Sequence, residues 1–324
     1  MSDSTKLLGI SNAIVDVLSP VDDDFLGKID APPGSMTLID EDRAHEIYNL
    51  MGPATEMSGG SVANTVAGFA NLGGAAAYIG RVNDDQLGEI FVHDMRSLGV
   101  DVRLTPAAAN SPTARCHVLI TADGQRTMQT YLGACTELSV ADVTESTVGA
   151  PAVILLEGYV WDIAEGRALA ERAIEIAEAN GSKVALSLSD SFCVERHLDA
   201  YRYAVRNGVD IVVADEDEVA ALLGTGSHEE TMKALGDYDN LFAMTRSEKG
   251  SVIVHGDEVV VQAATPVETI VDTTGAGDAY TAGFLYGYTH GKSLKESAEL
   301  GTYCATRVIQ QVGARIERGV LDGY

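Results

Sequence analysis

Asp278 follows a turn of small residues, Gly275-Ala276-Gly277, and opens a stretch with helical spacing that runs through Ala279, Ala282 and Gly283. A glycine turn at the start of a helix aims several backbone N–H groups at one point, and the helix dipole adds positive potential there. Gly275, Ala276 and Gly277 therefore read as an anion hole with a carboxylate at its rim. Two chemistries compete for that carboxylate. As a plain helix-start acid, Asp278 would contribute about 0.3–1 kcal/mol of stability. As a general base beside a held phosphoryl group, it would take the proton of an attacking hydroxyl. Only the second reading accounts for the turn as well as the acid. A dinucleotide fingerprint, G-x-G-x-x-G, fails here: Tyr280 stands at its third position, and the stretch lies near the end of the chain rather than in a first strand–helix turn.

Three other stretches hold polar groups where a site could form. Asn12 and Asp16 interrupt the apolar run that begins at Leu7. They read either as solvent-facing strand residues or as ligand contacts at the end of a first buried strand. Gly59-Gly60-Ser61, with Asn64 one turn later, precedes an apolar helical pattern. It reads as a turn with a helix cap, or as glycines, a hydroxyl and an amide arranged for a polyol. Asp215 and Glu218 directly follow an apolar run at Asp210–Val213. They read as a capping box, or as a carboxylate pair that organises magnesium at a strand end.

These residues need a scaffold. Val153–Leu156, Val184–Leu188 and Asp210–Val213 are strand-like runs that alternate with helical patterns, among them Asp162–Asn180 before Gly181. Such alternation implies right-handed strand–helix–strand units and a mostly parallel sheet. Thr269–Val271, just before the anion hole, reads as the end of another strand, and Leu294–Val312 as the last helix. Asp123-Gly124 between Pro112–Ile120 and Thr127–Tyr131 signals a hairpin. Length and 46% hydrophobic content suffice for one large α/β domain. A net charge of −26 argues against nucleic acid and anionic membrane surfaces, though not against a locally positive site for a polyanion. The four cysteines form no C-x-x-C pair and read as isolated buried thiols in a reducing compartment. Met1–Lys6 lacks a signal-peptide pattern and no stretch is apolar enough to span a membrane, so a cytoplasmic location is expected. No G-x-x-x-x-G-K-[ST] loop, H-R-D loop or H-E-x-x-H motif is present.

D-T-T-G-A-G-D-A-Y-T-A-G-F-L resembles the C-terminal signature of the ribokinase-like, or PfkB-type, sugar and nucleoside kinases. G-G-S-x-x-N from Gly59, continued by Tyr78-Ile79-Gly80-Arg81-Val82 and Asp85, resembles the N-terminal one. The likeness runs from Gly9 to about Gly313. It implies a three-layer α/β/α fold with a mostly parallel central sheet, forming a single domain over 1–324 with a small β-sheet lid from about 14–40 and 111–132. It implies transfer of the γ-phosphate of ATP to a hydroxymethyl group, with Asp278 as base, Gly275, Ala276 and Gly277 as anion hole, and Asn12, Asp16, Gly59, Gly60, Ser61 and Asn64 around the acceptor.

In the adenosine-kinase-like branch an arginine at the place of Arg126 reaches the phosphates; without that likeness Arg126 reads as a surface arginine. The resemblance also puts magnesium near Glu218, held through water. Asp272 and Thr274 match positions for a monovalent cation such as potassium. Asp215, Thr245, Ser247 and Gly250 match nucleotide-binding positions, although Asp215 replaces the usual Asn and Ser247 the usual Gly. The expected partners are the acceptor and ATP, with the protein as monomer or homodimer. The runs Gly9–Val17, Gly34–Ile39 and Ser187–Phe192 look most like adenosine kinases, which makes adenosine the expected acceptor. A fructokinase- or ribokinase-like sugar kinase is the alternative. A non-catalytic ligand-binding relative is the reading from another class, and the retained Asp278 speaks against it.

Overall fold

The computed structural model describes residues 5–107 and 111–324; Met1–Ser4, read above for the lack of a signal peptide, lie outside the described residues. Apolar runs such as Val153–Glu157 and Leu7–Ile10 are buried along their whole length, as strands covered on both faces must be. They belong to a nine-stranded sheet. Its order is Glu258–Gln262, Ser251–His255, Leu241–Thr245, Ile211–Asp215, Lys183–Ser187, Val153–Glu157, Leu7–Ile10, Ala76–Ile79 and Asp101–Val102. The strands from Leu241–Thr245 to Asp101–Val102 run parallel; at one edge Ser251–His255 is antiparallel to them and Glu258–Gln262 antiparallel to it.

Alternation along each strand feeds two cores. Leu8, Ile154, Leu186 and Phe242 pack with Leu169, Tyr201 and Leu222 on one side. Leu7, Leu155, Ala185 and Ala243 pack with Val66, Phe69, Tyr280 and Phe284 on the other. This is the three-layer α/β/α arrangement expected from the sequence.

A second sheet has five strands in the order Met36–Leu38, Arg126–Tyr131, Ala114–Ile120, Ile14–Pro20 and Thr55–Gly59. The hairpin across Asp123-Gly124 is part of it. So is Thr55–Gly59, a strand outside the two segments expected to form a lid. The run from Leu7 is not one strand: it leaves the large sheet at Ile10 and re-enters the small sheet at Ile14. Thr269–Val271 is not a strand end. Ile270 and Val271 are 59% and 44% exposed, and the Val271 N–H donates to the Ile309 carbonyl. The last helix stops earlier than expected, at Val308. All four cysteines are buried and unpaired. No helix among the described residues is long and apolar enough to cross a membrane.

Candidate active site

Parallel strands deliver their carboxyl ends to one edge of the sheet, where α/β proteins bind ligands. At that edge lie Ile10 with Asn12 just beyond it, Glu157, Asp215 and Thr245; the last two are neighbours in register. Gly275 precedes the Ala276–Thr289 helix with φ of 74°, a left-handed conformation that favours glycine. The Ala276 N–H turns to the Thr273 carbonyl at 3.2 Å. Among the described residues, no hydrogen bond engages the N–H groups of Gly275, Gly277 and Asp278. Two of the three expected donors, joined by that of Asp278, thus remain free for an anion.

Asp278 is held by the other motif helix. Ser61 Oγ donates to Oδ1 at 2.6 Å and Asn64 Nδ2 to Oδ2 at 3.1 Å, while Thr65 Oγ1 donates to the Asp278 carbonyl at 3.3 Å. Burial pushes the carboxyl up to about 6, opposed by those two side-chain hydrogen bonds and by the Arg315 charge. Ser61 and Asn64, read as polyol ligands, in this structure hydrogen-bond to the Asp278 carboxylate. Asp16 lies on the small sheet, and burial lifts it likewise to about 6, with Arg315 and Arg126 opposing and Asp278 adding to the rise. No donor among the described residues is hydrogen-bonded to it. Gly59 makes room for it: a Cβ there would stand 2.3 Å from Asp16 Oδ2. Gly60 caps the Ser61–Asn71 helix. Asn12 is buried, and its side-chain carbonyl has no partner.

Arg126 does not face solvent. It is ion-paired with Asp272, both side chains nearly buried. Asp272 also accepts the N–H groups of Thr274 and Gly313, each at 3.0 Å. With both oxygens engaged and a guanidinium neutralising it, Asp272 does not fit a monovalent cation in this arrangement, and Thr274 serves it through its backbone. Glu218 forms the capping box with Asp215: each side chain accepts the other's N–H, at 2.9 and 2.8 Å. Burial raises Glu218 to about 8, and Asp215, Asp190 and Asp217 add to the rise. Carboxylate oxygens are the ligand type that a hard divalent cation takes. Thr245 ends its strand, and Ser247 and Gly250 shape the following turn, with φ of 49° and 89°. Arg81 and Asp85 of the N-terminal motif are structural. Arg81 pairs with Asp142, and Asp85 accepts from the Gly88 and Thr113 N–H groups.

Two groups at the centre escaped the sequence reading. Glu157, a carboxylate ending an apolar strand, accepts the Asn12 N–H at 3.0 Å and the Val62 N–H at 3.2 Å. It ties the first strand's end to the glycine-turn helix, and burial raises it to about 7. Its one signal is its place: an acid closing Val153–Leu156 is out of keeping with a buried strand. Arg315 enters from the C-terminal segment, donating to Asn64 Oδ1 at 3.1 Å and Ser58 Oγ at 2.7 Å. Nothing local in Gly313-Ala314-Arg315-Ile316 marks it.

Comparison with known proteins adds to this geometry. Residues 37–318 match the model of the pfkB family of carbohydrate kinases. The crystal structure of adenosine kinase from Sinorhizobium meliloti is 46% identical, with a TM-score of 0.91 over 98% of each chain. A probable sugar kinase from Rhizobium etli is 43% identical, with a TM-score of 0.91 over 98% of this chain and 97% of that one. Adenosine kinase 1 of Arabidopsis thaliana is 26% identical over 331 residues, 95% of this chain and 94% of its own.

Proposed function

The chain belongs to the pfkB family of carbohydrate kinases and is a phosphotransferase with an alcohol group as acceptor, and from that premise we propose that it phosphorylates the hydroxymethyl group of adenosine to give AMP. The observation that carries the reading is the Asp278 carboxylate, pinned by Ser61 and Asn64 at the rim of a glycine turn with unengaged N–H groups. A hydroxymethyl group lying against Asp278 gives up its proton to that carboxylate as its oxygen attacks the γ-phosphorus of ATP, and the bond from the γ-phosphorus to the bridging β–γ oxygen breaks to release ADP. The phosphoryl oxygens meet the N–H groups of Gly275, Gly277 and Asp278. Phosphoryl transfer asks mainly for such positioning and charge stabilisation. Asp16, an acceptor with no donor of its own, takes the hydroxyls of the ribose, and Asn12 offers its free carbonyl beside it. The family uses ATP together with a metal. Magnesium, bound with the nucleotide, supplies charge neutralisation on the phosphates, and Glu218 would hold it through water. Asp215, Thr245, Ser247 and Gly250 line the proposed nucleotide side. No step is assigned to a monovalent cation. The cytoplasm, where ATP is made available, is the proposed location.

The acceptor is tested with a panel under MgATP: adenosine, 2′-deoxyadenosine, inosine, ribose, fructose and 2-keto-3-deoxygluconate. Adenosine is expected to give the highest kcat/KM. 2′-Deoxyadenosine, with one hydroxyl fewer for Asp16, should run slower, because an unpaired buried acceptor costs about 1–3 kcal/mol. Equal or better use of ribose or fructose would replace adenosine by a sugar, the second reading that the likeness to a probable sugar kinase supports.

Arg126 is proposed to leave Asp272 for the phosphates when nucleotide binds. Arg126→Ala should then lower kcat more than it raises the acceptor KM. A parental kcat would leave Arg126 as the partner of Asp272 and nothing more.

A further inference from the structure

We propose that Arg315 is a positioning residue for the general base: it holds the amide of Asn64 with its nitrogen toward Asp278, and it is a cation facing that carboxylate. The inference rests on the reading of Asp278 as base. An asparagine amide has an acceptor end and a donor end, and its neighbours decide which way it points. Arg315 Nε donates to Asn64 Oδ1 at 3.1 Å, and a guanidinium has no acceptor to offer the other end. Asn64 Nδ2 is thereby committed to Asp278 Oδ2, at 3.1 Å. Without Arg315 the amide keeps only its bond to the carboxylate, and its oxygen end is left with no partner to hold the orientation.

Arg315 is itself fixed. Its Nη1 donates to Ser58 Oγ at 2.7 Å, and Ser58 is held in turn by Asp94, which accepts from the Ser58 N–H at 2.9 Å and from its hydroxyl. Nη2 reaches Met95 Sδ at 3.7 Å. The backbone on either side is anchored: Gly313 N–H donates to Asp272, and Asn71 Nδ2 donates to the Ile316 carbonyl at 2.7 Å. One short C-terminal segment therefore braces both the residues before the anion hole and the base.

The groups facing Arg315 come from several elements. They are Asp16 on the small sheet, Asp94 on the Gln86–Ser97 helix, Tyr78 on the large sheet and Asp278 on its own helix. Arg126 and Glu157 complete the charges around the two acids. Three carboxylates lie within the field of this guanidinium without pairing to it directly, and removal of the cation raises their proton affinity. A role in packing alone predicts lower stability and an unchanged pH profile.

The test is the pH dependence of kcat with MgATP and the best acceptor of the panel, measured on folded full-length protein. Arg315→Met should move the acidic limb upward by about one pH unit, the low end of what a nearby opposite charge produces in a carboxylate. Arg315→Lys keeps the charge but not the planar fork. It should hold the limb near its parental position while kcat falls severalfold. An unmoved limb in Arg315→Met overturns the inference. If that variant does not fold, a parental kcat in Arg315→Lys does so. Asp278→Asn is the separate control: if it turns over normally, the base assignment fails and not merely the role of Arg315.

Discussion

Asp278→Asn should lower kcat by roughly 10²–10⁴-fold while leaving a folded protein that still binds nucleotide. The structure explains why the fold survives. The new amide can present its oxygen to Asn64 Nδ2 and its N–H to the Ser61 hydroxyl, which accepts as readily as it donates. An asparagine at the start of the Ala276–Thr289 helix is also tolerated. Nucleotide affinity should hold or rise, since a negative charge beside the phosphates is gone. The parental enzyme should lose turnover as pH falls through about 6, because the base works only when ionised and burial has raised its carboxyl to that value. Asp16 titrates in the same range, so the limb belongs to the pair. The variant should be slow on both sides of it. The helix-dipole reading predicts instead a stability loss of at most about 1 kcal/mol and near-normal turnover. Turnover within a few-fold of the parent, on the same folded preparation, would remove the base and with it the proposed mechanism.

What the sequence made legible was local in origin. The turn at Gly275–Gly277 and its acid are contiguous, so residue types alone carry the chemistry. The parallel sheet shows in buried apolar runs such as Val153–Leu156, because strands covered on both faces have no polar alternation to confuse the pattern. The rest depends on distance along the chain. Arg315 meets Asn64 across 251 residues, and Glu157 meets Asn12 across 145, and no window on the sequence contains both partners. Asn12 and Asp16 look like members of one strand, yet the chain changes sheets between them. That change puts Asp16 on the small sheet while Asn12 stays at the end of the large one. Thr269–Val271 misled because β-branched residues fit a half-buried pleated surface, and here they are on a loop whose backbone bonds the end of the last helix. Asp215 and Glu218 carried two readings, and both remain compatible with their places. The capping box is formed, and burial together with the neighbouring acids disfavours the charged form of Glu218.

Gly275→Ala should be the second severe variant, and for a reason of shape rather than charge. Gly275 has φ of 74°, where a side chain costs about 1–2 kcal/mol. A Cβ there would also stand 2.5 Å from the Ala314 carbonyl oxygen and 2.6 Å from the Ala314 Cβ. Neither neighbour is the free end of a flexible side chain. Ala314 lies between Gly313, bonded to Asp272, and Arg315, bonded to Asn64. The turn must therefore move away from it, carrying the unengaged N–H groups of Gly277 and Asp278 with it. Losing one well-aimed donor to a developing anion costs about 10²–10³ in kcat, and a displaced turn should cost at least that. The comparison is Gly277→Ala. An added Cβ there meets nothing within 4 Å, and the residue is already inside the helix. Its stability should stay level or rise by up to about 1 kcal/mol, the usual preference for Ala over Gly in a helix. Thermal unfolding and kcat measured on both variants separate the roles. If Gly275→Ala loses stability yet keeps its turnover, the turn only starts a helix, and the anion must be held elsewhere.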